Sequence, residues 1–282
     1  MQASNDQYQL EQFMKTHSGI WSGVWSEYTP QASAGASGET VFRMTNIYKG
    51  RQECVGDFEA RVAQWRELTL LHAPDGGPLA PVVVSERTML PHDFRSAAGS
   101  MEADNVFSTS VLRADEKGGE VFEAEIWIRA GTYRTRVTFL YAAPSPAGTG
   151  APLALDKIIV KKERLGKQGP TAEEPELFGA GGRGIYDPTS RTRGSWDLTL
   201  HGGLSLCFPP ELPRGAKGSV LVDWVAGRMR YQADRIFNEP DGKLYSLEVT
   251  QIGSAESMLY TIPEPPPEGE GEGEGAAAGA SE

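Results

Sequence analysis

Cysteine is scarce: the 282-residue chain has two, Cys54 and Cys207, 153 positions apart and without a Cys-x-x-Cys. Histidine is almost as sparse, with His17, His72, His92 and His201 scattered along the chain. A structural zinc site needs closely spaced ligands of these types, so none is expected, and a reducing compartment is the simpler reading. A disulfide would have to join the two halves of the chain. Long apolar runs are missing too: none approaches the roughly 18 to 20 residues of a membrane-spanning helix. The first residues, MQASNDQYQL, have neither the apolar core of a signal peptide nor the Arg/Ser-rich character of a transit peptide. There is no Lys/Arg-rich run, and the formal net charge is -11, which argues against nucleic acid as a partner. Catalytic signatures are absent as well. No Gly-x-Ser-x-Gly and no His-Glu-x-x-His occurs, so nothing points to a hydrolase, and no cofactor or metal is implied.

What the chain does have is glycine and proline, 33 and 19 residues, with 39% hydrophobic residues. That balance favours many short strands joined by turns over long helices. Residues 5–17 carry the one amphipathic helical pattern near the start, with Leu10, Phe13, Met14 and His17 at helical spacing. Such a short helix is unstable alone and must pack on the rest, across one open end of a barrel. Strand patterns follow at 40–48, 53–62, 64–72, 81–88, 105–113, 120–129, 133–142 and 153–164, with an irregular polar loop at 92–104. The segment 166–184 holds Pro170, Pro175 and six glycines and is a candidate linker. A second β-rich block runs over 185–262, with no second Trp-x-Gly opening strand. Residues 263–282 are low-complexity Glu, Gly, Ala and Pro; their six glutamates supply about half of the net charge, and the segment is expected to be disordered.

The most informative stretch is Trp21-Ser22-Gly23-Val24-Trp25. In a strand, alternate side chains share a face, so Trp21, Gly23 and Trp25 point together. The glycine leaves a notch where another backbone can approach closely. The pair can form a packed barrel floor, where each buried indole contributes about 4 to 6 kcal/mol by area, or line a ligand cavity together with Trp127. Tyr133-Arg134-Thr135-Arg136 places two arginines on one face, and Arg228-Met229-Arg230, after Trp224, repeats the arrangement. Inward arginines could clasp a Trp face, worth on the order of 0.5 to 2 kcal/mol, or hold an anionic head group. Outward ones would form a solvated face or a docking patch. Glu123 and Glu125 share a face, as glycosidase carboxylates can; exposure to solvent is the expected explanation.

The helix leading into Trp21-Ser-Gly-Val-Trp25-x-x-Tyr28-Thr-Pro30, then Ile126-Trp-Ile-Arg129, Tyr133 to Tyr141 and Lys157 to Arg164, form one ordered set. Leu204 to Pro213, Val222-Asp-Trp-Val225, Arg228-Met-Arg230 and Leu247-Glu-Val-Thr250 continue it. Together they resemble the lipocalin-like double-barrel family of cyanobacteria and plastids, over about residues 8 to 252. Lipocalin-like chromophore lyases share the general barrel plan and are a weaker match. The resemblance implies an all-β chain: an antiparallel up-and-down β-barrel at 1–165, a linker, and a second, smaller barrel or partial barrel at 185–262. The land-plant member of that family is an assembly factor for the chloroplast ATP synthase. A monomeric, non-enzymatic chaperone of the chloroplast stroma, holding the β and γ subunits of the catalytic core, is therefore implied, its targeting segment removed. The alternative is a small-molecule or tetrapyrrole binder. Candidate ligand residues are Trp21, Trp25, Trp127, Arg134 and Arg136; candidate partner-binding residues are Trp224, Arg228 and Arg230.

Overall fold

The computed structural model describes residues 2–32, 40–71, 80–94, 99–103, 105–114, 119–143, 151–166, 185–186, 195–238 and 243–252. Most of the candidate linker and all of the acidic tail lie outside the described residues.

The chain opens with helix α1 (Gln2–His17). Its apolar positions are spaced by three and four, so Leu10, Phe13, Met14 and His17 form one buried stripe. Gly19 ends the helix with a backbone φ of 116° that only glycine adopts freely, and the chain turns into strand β1 (Gly19–Ala32). There follow β2 (Thr40–Asp57), β3 (Val62–Leu71), β4 (Ala80–Met89), a 3-10 turn (Pro91–Phe94), β5 (Gly99–Ala103) and β6 (Val106–Ala114). Strands β7 (Glu120–Ala130), β8 (Tyr133–Ala142) and β9 (Leu153–Leu165) complete the first half. They form one curled antiparallel sheet in the order β4-β3-β2-β1-β9-β8-β7-β6-β5. The chain is mostly antiparallel β, as its composition suggests, with a half-barrel sheet, a small second sheet and one N-terminal helix.

No ladder joins β4 to β5 among the described residues, so the curl is open there. Helix α1 lies across this end and touches β2, β3 and β5. Its stripe packs with Cys54, Ala63, Met89, Phe94, Phe107 and Trp127. The helix thus replaces, by side-chain packing, part of the closure that strand pairing does not provide.

Two sequence expectations change. The pattern at 40–48 and the first part of that at 53–62 are one long strand, because Gly50 is no turn residue: it lies under the Trp25 ring, 2.1 Å from where its Cβ would be; residues 58–61 are the turn into β3. The expected loop at 92–104 contains the 3-10 turn and β5, which pairs with β6.

The second block has β10 (Ile185–Tyr186), β11 (Trp196–Leu200), β12 (Leu204–Phe208), β13 (Glu211–Leu212), β14 (Lys217–Ala226), β15 (Met229–Asn238) and β16 (Lys243–Ile252). Five of these make an open sheet, β11-β12-β14-β15-β16. The two short ones stitch the halves together: β10 pairs with β2 and β13 with β9.

The main core lies between the sheets. Phe122, Ala124, Ile126 and Ile128 of β7, with Val137, Phe139 and Tyr141 of β8, pack against Leu206, Phe208, Val222 and Phe237. The Phe122 and Phe237 rings sit 4.6 Å apart. A bulge at Glu27/Tyr28 leaves Thr45 without an opposite residue and reverses the facing of β2 beyond it. Phe42 and Met44 thereby join this core, whereas Gln52 and Cys54 further along β2 face the inside of the curl.

Candidate functional site

The concave face of the curled sheet is aromatic and charged. One cross-strand row runs Tyr48, Trp25, Lys161, Arg136, Trp127, Phe107 over six adjacent strands. The next row reads Gly50, Gly23, Glu163, Arg134, Arg129. Residues directly opposite share a face with Cβ atoms about 4.5–5.5 Å apart, so the first row, and the second from Glu163 onward, places side chains beside one another. Gly50 gives the Trp25 ring its place. A Cβ on Gly23 would lie 1.9 Å from the Lys162 carbonyl oxygen, so β1 and β9 can approach only there being no side chain.

Arg134 is held by Glu163, Nε to Oε2 at 2.8 Å, and also donates to the Gln52 side-chain oxygen. Arg136 donates to Glu125 at 2.8 Å and lies 2.6 Å from Glu67. Lys161 donates to both oxygens of Glu67, at 2.8 and 3.0 Å. Trp25 Nε1 donates to Glu163 at 3.1 Å, and Thr138 donates to Glu125 at 3.1 Å. The cations also stack on rings. Arg136 lies 4.0 Å from the Trp127 centroid, Arg134 4.2 Å from Trp21, and Lys161 4.5 Å from Trp25. Three cations and three carboxylates, all buried, balance each other inside the curl.

The neighbours set the protonation states. Burial alone would raise the Glu67 carboxyl, but Arg136 and Lys161 outweigh it and hold the group down at about 2. Glu125 is lowered in the same way: burial opposes, and Arg136 and Lys161 prevail. Burial pulls Arg134 down to about 10, partly offset by Glu163. Arg136 is raised: burial opposes, and Glu125, Glu67 and Glu163 overcome it. His17, at the end of α1, is fully buried with no hydrogen-bond partner for either ring nitrogen among the described residues. Burial, then Arg134, Arg129 and Arg136, hold it well below its usual range, so it is neutral. The last carbonyls of α1 are tied down: Trp21 Nε1 donates to His17 O at 3.0 Å, and Arg129 donates to Thr16 O.

Trp21, Trp25, Trp127, Arg134 and Arg136, 115 positions apart at the extremes, therefore meet in one interior. Glu125 belongs to it too, which corrects its expected exposure; Glu123 stays half-buried beside Arg113 at 3.4 Å. Trp224, Arg228 and Arg230 do not assemble. Trp224 is buried between the sheets near Tyr231, while Arg228 and Arg230 are exposed at the β14–β15 turn, Arg230 bonded to Asp223 at 2.9 Å. Glu67, Lys161, Glu163 and Gln52 escaped notice, and His17 was read only as part of the helix stripe. The available signal was the i, i+2 spacing of Lys161 and Glu163 on a strand whose other face is apolar. Arg235 was missed as well: wholly buried between the sheets, it donates to Ser108 at 2.6 Å and Ser110 at 2.7 Å. Both cysteines are free, and no group of potential metal ligands occurs among the described residues.

The fold and interior define a class: an all-β protein with a curled sheet closed over charge, backed by a smaller sheet. Among the solved structures that share the fold is a protein of unknown function from the DUF3598 family of Nostoc punctiforme. It is 15% identical, with a TM-score of 0.57 over 87% of this chain and 98% of that one. No protein-family model and no curated protein matches the chain.

Proposed function

We propose that this protein is a non-enzymatic binding factor that engages a protein partner with its outer surface. The carrying observation is the interior. The cations there are ion-paired to Glu67, Glu125 and Glu163 and stacked on the indole rings, three against three, although Arg134 Nη1, Arg136 Nε and Trp127 Nε1 have no hydrogen-bond partner among the described residues. Opening that interior would leave buried charges unpaired, at several kcal/mol each. Binding capacity then rests with the exterior, where Val82, Val83 and Val84 of the edge strand β4 are exposed together with Val55. An edge strand with apolar side chains is suited to adding a strand from a partner.

The resemblance in the sequence supplies the partner of this reading: the β and γ subunits of the chloroplast ATP synthase catalytic core, met in the stroma during assembly. The test is capture of purified β and γ subunits by immobilised protein, alongside a Val83→Glu, Val84→Glu variant. The reading expects capture by the native chain and at least about tenfold weaker capture by the variant. Failure to retain either subunit, also from chloroplast extract with a stalled complex, would overturn it.

A further inference from the structure

The three buried cations of the curl each have a carboxylate beside them: Arg134 has Glu163, Arg136 has Glu67 and Glu125, and Lys161 has Glu67. Arg235 of β15, between the two sheets, departs from this pattern. It is wholly buried, yet its guanidinium meets only hydroxyls of β6. Nη1 donates to Ser108 at 2.6 Å, Nη2 to Ser110 at 2.7 Å and Nε to Ser110 at 3.1 Å. Opposite it on the neighbouring strands stand Val220 and Leu247, and Ala233 and Phe237 flank it along its own face. No carboxylate among the described residues pairs with it. Burial pulls the group down to about 9, with no anion among its causes to oppose the shift. An arginine keeps its proton at neutral pH all the same, so the charge remains.

A buried charge without a counter-charge costs several kcal/mol. The serines satisfy N–H groups but bring no negative charge. The guanidinium has more N–H groups than these bonds use, and the Ser108 hydroxyl, which accepts one, still has its own proton to give. We propose that Arg235, Ser108 and Ser110 hold a small monovalent inorganic anion, chloride above all, between the two sheets. A water molecule there satisfies donors but leaves the charge uncompensated. An organic acid does not suit a cation with no exposed surface. The residues facing the guanidinium from the first sheet are short, Ser108, Ser110 and Ala124 beside Ser110, which suits a compact ion. Strands β15 and β16 both lie against β6, so the ion joins one sheet to the other. The site uses no residue of β4 or of the curled interior, and it stands or falls independently of the partner reading.

The experiment titrates the full chain with sodium chloride, ionic strength being held constant with sodium gluconate. It follows the melting temperature and the line width of the chlorine NMR signal, with bromide as competitor. The melting temperature should rise by about 2–4 °C for each tenfold increase in chloride above its dissociation constant. The chlorine signal should broaden with added protein, and bromide should reverse the broadening. Arg235→Met, which puts an apolar side chain in an apolar place, should abolish both effects. Ser108→Ala keeps the cation and should weaken chloride binding about tenfold. Equal melting across the titration with an unbroadened signal would overturn the proposal. So would chloride effects that persist in Arg235→Met, since the ion would then sit elsewhere. Should that variant not fold, Ser108→Ala decides: unchanged chloride affinity overturns the assignment.

Discussion

Arg136 shows how a buried charge holds this protein together. It bridges Glu67 from β3 and Glu125 from β7 and covers the Trp127 ring. Truncating it leaves Glu125 buried without a cation and Glu67 with Lys161 alone, and breaking a buried pair typically costs about 3–5 kcal/mol. Arg136→Met should therefore lower the urea midpoint strongly, and adding Glu125→Gln should recover part of the loss, because one unpaired charge is then removed. A loss within about 1 kcal/mol for Arg136→Met would mean that the lattice is not structural. His17 makes a second residue-scale prediction. Its folded value lies well below the ordinary 6.5, so the unfolded chain takes up its proton first. Its contribution is complete above about pH 6.5 and declines as pH falls below that value. Glu67, at about 2 in the fold against an ordinary 4.5, acts in the same direction in a lower window, between those values. Melting temperature should thus fall from pH 7 to 5, and His17→Leu should flatten that upper part of the curve while leaving the decline below pH 4.5. An unchanged slope for His17→Leu would remove His17 as its cause.

The strand pair β1–β9 is the element on which the curl depends, and its closeness is set by Gly23. A methyl group there meets the Lys162 carbonyl, in the backbone of a neighbouring strand that cannot yield without losing its ladder. Gly131, in the β7–β8 turn, offers the contrast: a Cβ meets nothing within 4 Å, and only the φ of 62° opposes a side chain. Gly23→Ala should cost more than about 3 kcal/mol or abolish soluble expression, and Gly131→Ala about 1–2 kcal/mol, both read by denaturant unfolding. Equal costs would show that strain, not close approach, governs both sites. At this scale much was legible. The Trp21-x-Gly23-x-Trp25 spacing is enough to predict a shared face and a close backbone approach, because alternation is a property of the strand itself. The merging of 40–48 with 53–57 was not legible, since Gly50 looks like a turn residue until the ring above it is known.

Across the whole molecule, the two sheets share one core, so they are expected to unfold together. Phe237→Ala on β15 removes the ring against Phe122 of β7 and should cost about 3–5 kcal/mol. Hydrogen exchange should then accelerate at β7 and β15 amides alike; protection lost at β15 alone would show the sheets to be independent units.

Composition and periodicity alone determined the β class, the position of α1 and the alternation along β7 and β8, because these depend on neighbours within one segment. They could not determine which face of those strands is interior. By hydropathy, Phe122, Ala124, Ile126 and Ile128 belong inside and Glu125, Trp127, Arg134 and Arg136 outside. In the folded chain both faces are buried. The second sheet, reached only through the later half of the chain, covers the apolar face. The curl of the first brings Glu67, Glu125 and Glu163 onto the cations of the other. A charge can stay buried only with its partner, and partners from β3, β7 and β9 meet only when the sheet is formed.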